Sequence, residues 1–207
     1  MTADGSAPTV RVVREGFVVR DGPRIVDASS TVTLLDTPKG RFIVDTGSPR
    51  DADGLESALL KMGVSLASVD FVVNTHMHAD HCGGNDLFPR ARLIAHEFED
   101  PPLGAVKVVG DMPLSTGVMI RITPGHTAGS ISVFVESDRR YAVCGDAIPT
   151  KANFESMAPP AVHMDRRLAL MSMDRILTWA DVVVPGHDPA FVTSERSKTE
   201  KRYRSGR

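Results

Sequence analysis

A chain of 207 residues with 42% hydrophobic content is long enough to bury a sizeable core and falls at the upper end of single-domain length. With 24 Lys and Arg against 26 Asp and Glu the formal charge is −2, so no global positive field recruits nucleic acid. Two cysteines make no disulfide framework, the first residues lack the basic start and apolar core of a signal peptide, and no apolar run reaches bilayer length. The expectation is one domain over residues 1–192, located in the cytoplasm and without a membrane partner. A polar, basic and poorly ordered tail over 193–207 is expected to follow it.

In chain order, residues 9–19, 31–35 and 41–44 read as strands. Residues 51–62 set Leu55, Ala58, Leu59 and Met62 at helical spacing behind Asp51, the pattern of an amphipathic helix. A strand over 69–73 feeds a histidine-rich segment, a short helix follows at 84–88, and 92–95 is another strand. The second half has the same character, with strands near 106–109, 118–122, 130–135 and 140–143. A helix over 165–179 and a last strand at 181–184 complete it. Strand-rich halves each followed by helix suit an α/β (α+β) chain with two sheets face to face and helices outside, but do not select that arrangement over other α/β folds. There is no interdomain linker and no short-period repeat.

The histidine-rich segment is the most informative. Residues 75–84 read Thr-His-Met-His-Ala-Asp-His-Cys-Gly-Gly, with His76, His78, Asp80 and His81 inside six positions. Imidazoles and a carboxylate at that density hold transition metal. Neither a flat strand nor a regular helix would bring all four to one ion, so a loop leaving a strand is expected, with Gly83 and Gly84 giving it backbone freedom. Three more donors end apolar runs beside a glycine: His126 after residues 118–122, Asp146 after 141–143 and His187 after 182–184. Strand ends are how distant side chains are delivered to one edge of a sheet.

On these residues, with residues 42–47 (Phe-Ile-Val-Asp-Thr-Gly), the chain resembles the metallo-β-lactamase-fold hydrolase superfamily from about residue 10 to 191. The resemblance implies an αββα four-layer sandwich. It also implies a first metal on His76, His78 and His126, a second on Asp80, His81 and His187, and Asp146 between them. Glutamate replaces the residue matching His78 in the flavodiiron branch, which disfavours that branch. Asp45 is expected to orient a ligand loop through hydrogen bonds. Cys82 and Cys144 are expected to pack as small hydrophobes. His163 lies on a loop that could overhang the metals and donate a proton to a leaving group.

Two Zn2+ per chain, with Fe or Mn accepted by the same donors, would supply a metal-bridging hydroxide, and Asp80 would orient it and take its proton. The residual positive charge suits anionic transition states. The expected activity is hydrolysis of phosphodiester, ester or lactone bonds, with weak β-lactamase activity as a side reaction. No helical glutathione-binding domain, inserted nuclease domain or protruding tRNA-binding arm is evident. The compact members that remain imply a small molecule or single-stranded RNA as substrate, and a homodimer is expected. The rival class within the superfamily is a persulfide dioxygenase, with one iron on the positions matching His76, His126 and Asp146.

Overall fold

The computed structural model describes residues 7–194, so residues 195–207 of the tail expected over 193–207 lie outside the described residues. Fourteen strands and four α-helices alternate in two blocks. The first block holds β1 (Thr9–Arg14), β2 (Phe17–Asp21), β3 (Arg24–Ser29), β4 (Val32–Thr37), β5 (Gly40–Val44), α1 (Ala52–Lys61), β6 (Phe71–Val73), α2 (Ala79–Cys82), β7 (Arg92–His96) and β8 (Val106–Val108). The second holds β9 (Met112–Ser115), β10 (Val118–Ile122), β11 (Ile131–Glu136), β12 (Arg140–Gly145), α3 (Lys151–Ser156), α4 (Arg166–Trp179), β13 (Val182–Pro185) and β14 (Phe191–Val192).

Two six-stranded sheets result, in the orders β1-β4-β5-β6-β7-β8 and β14-β13-β12-β11-β10-β9. In the first sheet β5, β6, β7 and β8 run parallel, and in the second β12 and β13 do. Strand alternation then sorts the apolar residues into layers. Phe42, Val44 and Val73 point between the sheets, where they meet Ile120, Ile131, Val133 and Val143. Ile43 and Val72 point the other way, onto Leu55 and Leu59 of α1. On the far side Phe134, Ala142 and Val183 pack against Met173 and Ile176 of α4. Helix, sheet, sheet and helix make four layers, and strands buried on both faces explain why the apolar runs are continuous. No helix among the described residues is long and apolar enough to cross a membrane.

Three local expectations change. Residues 9–19 are not one strand. The chain breaks at Gly16, where a Cβ would sit 2.4 Å from both Gly186 O and Thr31 N. The backbone there is squeezed beneath the segment carrying His187, and β2 leaves the sheet to pair with β3 in a separate hairpin. The polar content of β3 (Arg24, Asp27) hid that strand from the hydrophobic pattern. The helix expected at 84–88 is a single 3-10 turn over Asn85–Leu87. Gly83 and Gly84 have ordinary φ values of −66° and −101°, so backbone freedom is not their use. A Cβ on Gly83 would fall 2.3 Å from Pro49 N, and one on Gly84 would fall 2.6 Å from Thr46 O. Close approach selects these glycines.

Candidate metal centre

Every donor singled out in the sequence arrives at the same end of the sandwich. The loop after β6 brings His76 and His78, and α2 is a single turn that presents Asp80 and His81. His126 follows β10, Asp146 follows β12, and His187 follows β13. His76, His78 and His126 form one group able to hold a metal ion, Asp80, His81 and His187 form another, and His76, His81 and Asp146 a third that links them. Within each group the donor atoms lie within 4.8 Å of one another.

Hydrogen bonds at the back of each ring decide which nitrogen faces the site. A backbone carbonyl only accepts, so Nδ1–H of His126 donates to Val162 O (2.7 Å) and Nδ1–H of His187 donates to Ser29 O (3.0 Å). His81 Nδ1–H donates to Asp45 Oδ2 at 2.8 Å. Thr75 spends its one hydroxyl proton on Asp45 Oδ2 (2.7 Å), which leaves its oxygen to accept from His76 Nδ1, 3.3 Å away. In the neutral rings every Nε2 lone pair then points inward. His76 Nε2 and His126 Nε2 stand 3.0 and 3.1 Å from His78 Nδ1, and His81 Nε2 faces His187 Nε2 at 3.4 Å.

His81 and His187 set acceptor against acceptor, and a proton on His78 Nδ1 could serve only one of the two acceptors that face it, so a cation suits both places. Asp146 sharpens the point. Its Oδ1 is buried and without a hydrogen-bond partner, although His187 Nε2 is 3.1 Å away and His81 Nε2 3.5 Å. Its Oδ2 lies 3.5 Å from His126 Nε2, so one carboxylate faces both groups. A divalent ion in each group fits this donor set, and the buried orphan oxygen is what it would satisfy.

Proton affinities report the same crowding. Burial, reinforced by the positive field of His81, pushes His76 well below the ordinary imidazole value. Burial also opposes protonation of His81, but the carboxylates of Asp45 and Asp146 outweigh it and lift this group well above 6.5. His187 is raised, against its own burial, by Asp146. Asp146 in turn is held well below the usual carboxylate range, because His81 and His187 overcome the cost of its burial.

Asp45 hydrogen-bonds the loop that carries the donors. It accepts from Thr75 N (2.7 Å), Thr75 Oγ1 and His81 Nδ1 while adopting a left-handed φ of 55°. Cys144 is buried with its thiol against Val184 O, and Cys82 is half-buried beside Met77 O. Neither belongs to a donor group among the described residues. His163 is exposed, and its Nδ1 contacts Pro160 O at 2.6 Å. From that loop it is Pro160, Ala161 and Val162 that line the cleft, and the contribution to the centre is the Val162 carbonyl. No sequence signal reveals a backbone carbonyl.

Over the donors lies a cleft of about 450 Å³. His78, Asp80, His126, Asp146 and His187 form its floor. The hairpin β2–β3, absent from the sequence reading, supplies a wall through Val18, Arg20, Ile25, Val26 and Ala28. Asp27 and Arg50 also line it and pair with each other.

An αββα sandwich with two linked groups of His and Asp donors at one edge defines a metal-dependent hydrolase class. The chain belongs to the metallo-β-lactamase superfamily, whose pattern it matches over residues 26–187. Metallo-beta-lactamase domain-containing protein 1 of Xenopus laevis is 32% identical to it over 205 residues, covering 90% of this chain and 82% of that protein. An N-acyl homoserine lactonase of Bacillus thuringiensis is 30% identical over 183 residues, covering 69% of this chain and 73% of that protein. A solved N-acyl homoserine lactone hydrolase, with the product N-hexanoyl-L-homoserine at its catalytic metal centre, superposes with a TM-score of 0.70. That match covers 94% of this chain and 96% of the other, at 23% identity. The chain is thus a hydrolase of this superfamily with His and Asp groups suited to divalent metal.

Proposed function

We propose that the protein is a binuclear zinc hydrolase of small esters or lactones that carry an apolar body. The observation that carries this reading is Asp146, one carboxylate facing two separate groups of donors beneath a cleft of small-molecule size. His76, His78 and His126 would hold one ion, Asp80, His81 and His187 the other, with Asp146 shared. Zinc suits five imidazoles and two carboxylates. When bound, such ions acidify water from a pKa of 15.7 to about 7 and polarise the oxygen of the bond to be cut.

The chain's own residues supply the rest. Asp80 is the more exposed of the two carboxylates, with its Oδ2 3.6 Å from His187 Nε2. It is placed to orient the attacking water, accept its proton at Oδ2 and return it to the leaving oxygen. Val18, Ile25, Val26 and Ala28 offer an apolar face to the body of the substrate. Arg20, on the same wall, has no ion pair among the described residues and offers one cation to a carboxylate. The lactonase relatives favour an ester or lactone carbonyl over the phosphodiester and single-stranded RNA that the sequence also suggests.

Elemental analysis of protein purified without added metal, followed by turnover of an acyl homoserine lactone, an aryl ester, a phosphodiester, a β-lactam and an RNA oligonucleotide, tests this. The expected result is about two zinc per chain and fastest turnover of lactone or ester, abolished by chelation and restored by zinc. About one iron per chain with oxygen consumption would move the assignment to sulfur oxidation. Preferential RNA cleavage would move it to the nucleases.

A further inference from the structure

The two histidine loops of the first donor group come from different sheets, and one carboxylate joins them. Glu99 ends the 3-10 turn Glu97–Glu99 after β7, where Asp100 turns the chain with a φ of 49°. Its Oε2 accepts from Met77 N at 2.9 Å, and Met77 stands between His76 and His78. Its Oε1 accepts from Thr127 Oγ1 (2.6 Å) and Gly129 N (3.0 Å), and Thr127 directly follows His126. Each oxygen of one rigid group therefore serves one loop. The packing is close as well, since a Cβ on Gly129 would fall 2.7 Å from Glu99 Cγ.

Asp45 is the carboxylate that binds a ring of the other group, His81, directly, and it reaches His76 through Thr75. Glu99 touches no donor ring. It fixes the distance between the backbone segments that carry His76 and His78 on one side and His126 on the other.

We infer that Glu99 is a positioning residue for the first donor group alone, so that loading of the His76, His78 and His126 group depends on it while loading of the Asp80, His81 and His187 group does not. The inference rests on the reading of these groups as metal sites. Its chemistry is that of a partner beyond the donors themselves, whose loss typically weakens metal affinity about 10–100-fold. A displaced loop parts His126 from His78, which converge at 3.1 Å, whereas the hydrogen bonds of Glu99 go to Met77, Thr127 and Gly129 and not to the turn carrying Asp80 and His81 or to His187.

The test is zinc titration of metal-free wild type, Glu99→Ala, Glu99→Gln and the neighbouring exposed control Glu97→Ala. Affinities come from competition with a chromophoric chelator, and occupancy of each group from anomalous diffraction at limiting zinc. Glu99→Ala is expected to lose about 10–100-fold in affinity at the first group, with the second unchanged. Glu99→Gln should fall between, because its amide keeps one acceptor for Thr127 and Gly129 but turns a second donor on Met77 N–H. Glu97→Ala should match wild type. Wild-type affinity in Glu99→Ala, or equal losses at both groups, would overturn the inference. If Glu99→Ala fails to fold, a wild-type Glu99→Gln overturns it instead. A wild type that holds no zinc at the first group would count against the binuclear reading itself.

Discussion

The floor of the cleft and its hairpin wall are built to different standards. Among the five histidine donors at and beneath the floor, His76 and His81 are 0% exposed and the backs of four rings are tied by Thr75, Asp45, Val162 O and Ser29 O, while His78 alone is exposed. On the hairpin, Val19, Ile25 and Val26 are 40–52% exposed, and β2 and β3 pair only with each other. A site with its rotamers locked holds one chemistry, whereas an exposed two-stranded ribbon tolerates substitution. The contrast assigns reaction type to the floor and substrate range to the wall.

The floor should break hardest. Asp146→Ala removes the carboxylate that faces both groups, and a fall in kcat of about 10³, or about 4 kcal/mol of barrier, is expected. Steady-state turnover with zinc content measured in parallel checks it, and near-normal turnover with two zinc bound would refute the shared role. Asp45→Ala strikes one step further out. A loss of about 10–100-fold in zinc affinity is expected by chelator competition, largest at the Asp80, His81 and His187 group, whose His81 Asp45 binds directly, and smaller at the first group, where it reaches His76 only through Thr75. It weights the two groups in the opposite order to the Glu99 experiment.

The wall should shift preference while leaving the chemistry intact. Arg20→Ala is expected to cost at most about fivefold in kcat/KM for a carboxylate-bearing ester, the worth of one exposed ion pair near ~1 kcal/mol. It should leave a neutral ester of the same shape unchanged. Val26→Asp should penalise long-chain acyl substrates more than short ones, since each methylene taken from water is worth about 0.8 kcal/mol. Equal effects across the charge and chain-length series would mean that the hairpin does not touch substrate.

The same contrast explains what the sequence discloses. Metal donors need particular side chains, so His76, His78, Asp80, His81, His126, Asp146 and His187 all stand out as residue types at strand ends. The two sheets are legible because strands covered on both faces are apolar throughout. The hairpin is not legible, because a strand with one solvated face such as Arg24–Ser29 carries no apolar run. Glu99 is also hidden, since a carboxylate that accepts only from backbone N–H groups and a threonine resembles any surface glutamate. The clamps on His126 and His187 are main-chain carbonyls, which no residue type announces.

The smallest effect lies far from the cleft, at the clasp between β10 and α4. Asp111 Oδ1 accepts from Ile122 N at 2.9 Å and its Oδ2 from Arg121 at 2.8 Å, while Arg175 binds both Asp111 and Ile122 O. Burial alone would raise the Asp111 pKa, but the Ile122 N–H and the two guanidinium groups hold it below 3.8. A carboxyl depressed on folding stabilises the protein above its unfolded pKa and loses that contribution as pH falls through the folded value. Asp111→Asn should therefore lower the Tm of metal-free protein by about 2–4 °C at neutral pH, for a loss of ~1 kcal/mol. The gap should begin to close as pH falls below 3.8 and vanish once pH passes the lower folded value, where Asp111 in the native protein is itself neutral. Zinc loading and turnover should not change, because the clasp touches neither the floor nor the wall. A pH-independent gap would mean that shape at this position matters more than charge.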